Sequence, residues 1–236
     1  MVATPEIINR LVDFSKETII FAEEMLYDLI YPKELSEMRD TTCLVAAAVF
    51  DELELQSFGV NGNSYDFNPV FADLNEFDKL FALWSSPTYL VEFYEENLTY
   101  FEDDYWAGIT ITRFVIDVKQ SLPHIKKQLY ESMENNSLSG LAEPLDESEA
   151  NGRLFRSIRV KFKQGDIFHR FAFRIYAIEI EENTCYLITG GAIKITQQMS
   201  QAQNTLVELK KMDYAYRELD EHHVNTKETF IDYLLS

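Results

Sequence analysis

The chain is short of basic residues. Across 236 residues it holds 21 Lys and Arg against 40 Asp and Glu, a formal net charge of −19. That field repels polyanions and so argues against indiscriminate binding to nucleic acid or to an anionic membrane. Cysteine is scarce as well. Cys43 and Cys185 stand far apart in apolar settings, which speaks for two buried thiols rather than a disulfide framework. Long apolar runs are missing: the best, Cys43 to Phe50, is eight residues long, well short of the ~18 that a membrane-crossing helix needs. The start, Met1-Val2-Ala3-Thr4-Pro5-Glu6, lacks the basic residues and apolar stretch of a signal peptide. The expectation is a soluble, cytoplasmic protein with no membrane partner.

What is present can build a core. The chain is 46% hydrophobic, with 17 Phe and 13 Tyr, and a chain of this length buries roughly 70% of its unfolded surface. The charge is divided unevenly. Residues 1–109 hold 5 Lys and Arg against 22 Asp and Glu, and residues 110–236 hold 16 against 18. From Arg153 to Arg174 there are seven basic residues and one acid, Asp166. The expected organisation is an acidic helical region over 1–109 and an α+β domain over 110–236.

Periodicity supplies the elements. Apolar residues from Ile7 to Leu29 recur at three- and four-residue steps, with Pro5 at the start and Pro32 at the end, which predicts a helix over 5–31. A second is expected over 34–57, its Leu44-to-Val49 centre buried all round. Two more follow over 70–84 and 88–101, divided by Ser85-Ser86-Pro87. A fifth spans 112–134, kinked or divided at Pro123. The period then changes. Arg159, Lys161 and Lys163 alternate with Ile158, Val160 and Phe162, a half-buried strand. Gln164-Gly165-Asp166 turns the chain into a return strand that holds Arg170, Arg174 and Tyr176. Cys185 to Ile188 does not alternate and reads as a central strand. Thr205 with Glu208, and Asn225 with Glu228, have capping-box spacing before two closing helices.

Other clusters have simpler explanations. His222-His223 has no second ligand cluster and fits a helix end better than a metal site. Glu102-Asp103-Asp104 fits a solvated helix terminus better than a cation site. Gly190-Gly191 suits either an anion-binding nest or a tight turn. No metal or cofactor is expected.

The series Gly140 to Leu145, Leu154 to Val160, Phe173 to Ile178 and Cys185 to Lys194, followed by the helix after Thr205, resembles the RelE/ParE superfamily of bacterial toxins. The HigB-like branch is the nearest, over about residues 112–220. The chain differs from it in its acidity, and in having one lysine and no aromatic after the glycine pair. The resemblance implies a RelE-like α+β fold, an acidic helical N-terminal region followed by a small antiparallel sheet with flanking helices. It also implies contact with RNA or the ribosome, as in the family's metal-independent ribonucleases. Arg174 matches the strand arginine at the scissile phosphate, Arg159 the first-strand arginine, and Lys194 a basic residue after the central strand. RNA cleavage needs cations for the charged phosphorane and groups that move protons. Arg174 and Arg159 suit the first role; His169, Tyr176 or the His222-His223 pair suit the second. Lys161, Lys163, Arg170 and Lys194 would hold nucleic acid. In this reading the acidic helices of 1–109 mask the basic face. Two alternatives stand beside it. In one, the cations only pair with acids within a single folded body. In the other, the chain is a non-enzymatic acidic protein that binds a basic protein partner or imitates nucleic acid.

Overall fold

The structure is a computed structural model. It describes residues 19–21, 26–50, 74–102, 109–145, 153–158, 163–164, 167–168, 173–196 and 199–236. The strands are β1 (Ile19–Phe21), β2 (Leu26–Tyr31), β3 (Leu44–Val49), β4 (Ala142–Pro144), β5 (Phe155–Ile158), β6 (Lys163–Gln164), β7 (Ile167–Phe168), β8 (Phe173–Glu181) and β9 (Cys185–Ile193). The helices are α1 (Glu76–Ser85), α2 (Pro87–Glu96), α3 (Leu98–Phe101), α4 (Ile111–Glu134), α5 (Gln203–Glu221) and α6 (Lys227–Leu234). Seven strands form one sheet in the order β1-β2-β3-β9-β8-β5-β4, and β6 and β7 pair as a separate hairpin. Within the large sheet β3 and β9 run parallel and the other pairs antiparallel.

The α+β class expected from the sequence is the class observed, but the sheet is mixed and larger than a small antiparallel one. Two of the expected N-terminal helices are corrected. Residues 26–31 form β2, and 44–49 form β3 at the centre of the sheet. All six residues of β3 are buried. A strand covered on both faces shows no alternation, so its sequence looks like that of a buried helix. Residues 5–18 lie outside the described part. β3 from the first half pairs with β9 from the second, Leu44 opposite Cys185 through Ala47 opposite Ile188, so one sheet spans the 109/110 boundary.

Helices cover both faces of this sheet. On one face Val45, Ala47, Ile175, Ala177, Tyr186 and Ile188 pack with apolar residues of α1, α2 and α4. On the other, Leu44, Ala46, Tyr176, Ile178 and Leu187 pack with those of α5 and α6. The helix starts follow local chemistry. The Asn75 side chain accepts from the Asp78 amide to cap α1, Ser86 caps α2 ahead of Pro87, and Thr110 caps α4. α4 runs as one helix through Pro123. The expected box at Thr205 is not formed: α5 starts after Ala202, and the Thr205 hydroxyl donates to the Met199 and Ala202 carbonyls. At α6 the box is displaced by one residue, to Thr226 with Thr229. No described helix is long and apolar enough to cross a membrane.

Candidate functional site

Among the described residues, two places set charged residues on neighbouring elements. One is the end of the β8–β9 pair. Arg174 lies opposite Ala192 in the register, and Lys194 follows the last residue of β9. Both side chains are half-buried, and one Arg174 Nη donates to the Phe173 carbonyl at 3.0 Å. Tyr176, also on β8, is only 1% exposed and belongs to the core beneath α5. Its ring is therefore enclosed by apolar neighbours, away from the surface where an RNA backbone would lie. Lys163 begins the small hairpin, opposite Phe168. Arg159, Lys161, His169 and Arg170 lie outside the described residues, so the Arg159–Arg174 pairing that the toxin-like reading requires does too. His222 ends α5 with its ring 4.9 Å from that of Tyr233. Among the described residues no three metal-ligating side chains gather as a site.

The basic stretch is partly neutralised by acids of its own half. Arg153 pairs with Asp213 of α5 and stacks over the Phe155 ring at 4.5 Å. Arg156 pairs with Glu179 of β8. Neither acid belongs to residues 1–109.

The second place is buried. Glu76 of α1 accepts from the Lys79 ammonium at 2.7 Å on one oxygen and from Lys211 of α5 at 2.6 Å on the other. Lys211 also meets Glu208 at 2.7 Å. All four residues are 5% exposed or less. Burial alone would raise the pKa of the Glu76 carboxyl; Lys211 and Lys79 outweigh it, and the net direction is down. The group is charge-balanced and joins helices on opposite faces of the sheet beside Gly190 of β9.

Gly190 and Gly191 make room for it. A Cβ on Gly190, whose φ is +147°, would lie 1.8 Å from a Glu208 carboxylate oxygen and 2.7 Å from the Lys211 nitrogen. A Cβ on Gly191 would lie 2.4 Å from the Arg174 carbonyl oxygen and 2.7 Å from Leu80. The glycine pair is thus a passage for close packing rather than an anion nest. Sequence reasoning missed this cluster, although a signal existed. Glu76/Lys79 and Glu208/Lys211 share one Glu-x-x-Lys spacing, which puts both ends of each pair on one helix face.

Both thiols are buried, as the sequence implied. Burial raises the Cys43 pKa to about 11, with Lys227 opposing, and pushes Cys185 up as well. Neither is a thiolate at neutral pH. Comparison with family models, with curated proteins and with solved structures finds no match for the chain.

Proposed function

We propose that this chain works by binding rather than by catalysis, as an acidic interaction protein that takes a basic protein partner. The observation that carries this reading is how Arg153 and Arg156, at the start of the basic stretch, are used. Arg153 and Arg156 meet carboxylates of the same chain, and Tyr176, the described candidate for proton transfer on β8, is buried. The overall charge of −19 favours association with cations and accelerates encounter with them. The test is capture of a lysine-rich peptide by the full chain. Binding at low salt that weakens steadily as salt is added supports the proposal; no binding, or binding indifferent to salt, removes it.

A second reading keeps the RelE-like function, contact with RNA or the ribosome with or without cleavage. Two observations favour it. Residues 111–221 run α4, β4, β5, the separate β6–β7 hairpin, β8, β9, Lys194 and then α5, so a helix, a run of strands ending in a central one, a lysine and a helix follow in that order. Arg174 and Lys194 also lie at the same end of neighbouring strands. Toxicity or RNA cleavage lost in a folded Arg174→Ala variant supports this reading, and activity unchanged in that variant ends it.

A further inference from the structure

A groove opens between the end of α2, the short α3 and the start of α4. Tyr94, Glu95, Leu98, Ile109, Thr110 and Ile111 line an open space of about 530 Å³, within the size range of ligand clefts. Its floor is fixed. The Tyr94 hydroxyl donates to the Ile109 carbonyl at 3.0 Å, and the Tyr94 ring stacks on Phe101 at 4.7 Å. Leu98 stands at its rim, 44% exposed, where a large aliphatic side chain gains nothing from water.

Acids border the groove, and the cation nearest to it along the chain, Arg113, is paired with Asp117 at 2.8 Å. Glu95 and Glu96 occupy the last turn of α2 with no basic residue beside them, and Glu102 caps the end of α3. A helix C-terminus carries partial negative charge, so acids there are locally unfavourable. From residue 80 to residue 102 the sequence has four acids and neither Lys nor Arg. An apolar trough with an acidic border complements one kind of surface: apolar side chains flanked by cations.

We propose that this groove is the docking site for the basic partner, and that the partner enters as a basic amphipathic helix. Its apolar face meets Leu98 and Ile111, and its Lys or Arg residues meet Glu95 and Glu96. The proposal rests on the binding reading above and gives that reading a location.

The test uses the full chain and a synthetic amphipathic helix of Leu and Lys, followed by fluorescence anisotropy at two salt concentrations. Leu98→Ser, at an exposed position, is expected to weaken binding about tenfold, the cost of leaving one leucine contact unmade. The double variant Glu95→Lys with Glu96→Lys is expected to weaken binding and flatten its salt dependence. Asp220→Lys with Glu221→Lys, exposed on α5, serves as a control and is expected to change affinity by less than about threefold. Wild-type affinity in both groove variants overturns the docking site, as does an equal loss in the α5 control; either result leaves the binding reading intact. Self-association of the chain that Leu98→Ser abolishes also overturns it, in favour of a second copy as occupant. If the wild-type chain ignores the peptide even at low salt, the binding reading itself fails.

Discussion

At the scale of single residues, the strongest commitments are Gly190 and the four charges beside it. A side chain at Gly190 meets both a backbone region that favours glycine and an ion pair already in contact. Gly190→Ala is therefore expected to lower stability by about 2 kcal/mol or more, read from the midpoint of urea unfolding. Glu76→Gln leaves two buried ammonium groups facing a neutral amide, and a loss of about 3–5 kcal/mol is expected. An unchanged urea midpoint would mean that the cluster holds nothing together. The same group sets a pH dependence. The Glu76 carboxyl has a folded pKa below its ordinary 4.5, so the unfolded chain binds its proton more readily. The stability it contributes is present above pH 4.5 and lost as pH falls through the lower folded value. Acid titration of wild type and Glu76→Gln should separate the curves above pH 4.5 and bring them together below it.

At the scale of elements, α4 and α6 offer direct tests. Pro123 sits inside α4 without an amide hydrogen to give. Pro123→Ala, at an exposed position, is expected to raise the melting temperature through a gain of about 1–3 kcal/mol. A melting temperature that falls would show that the proline serves the helix's packing. Thr226→Ala removes the hydroxyl that caps α6 and is expected to cost about 1 kcal/mol. How legible each element was follows from its environment. α1, α2, α4 and α5 pack through one face, so their apolar residues keep the helical period, and Ser86-Pro87 marks a break that the structure keeps. β8 was readable from its alternation at one end. β3 was not, because Leu44-Val-Ala-Ala-Ala-Val is buried on both sides, and β2 was lost with it. The ion cluster stayed hidden for another reason. Its two Glu-x-x-Lys pairs are 132 residues apart in the chain (Glu76 to Glu208), and only the fold brings them together.

For the whole molecule, the contrast between the halves is one of charge, and among the described residues strands of both halves pair in one sheet. The first half contributes β2 and β3 to the sheet that β8 and β9 complete, and Glu76 of the first half holds Lys211 of the second. An acidic segment that swings away from a basic one would have to break both the parallel β3–β9 pairing and a buried ion network. Expression of residues 110–236 alone is thus expected to give insoluble or unfolded protein; a folded, soluble fragment would restore the idea of a detachable cover. What remains is a chain whose two halves share one sheet and whose acids far outnumber its bases. The most direct test of that account is a titration of the full chain with a lysine-rich peptide beside an RNA substrate, at low salt and at about 1 M, where screening shortens to ~3 Å. The account predicts that the peptide binds at low salt and is released at high salt while the RNA stays intact. RNA cleaved by the wild-type chain but not by Arg174→Ala, with no peptide bound, would contradict it.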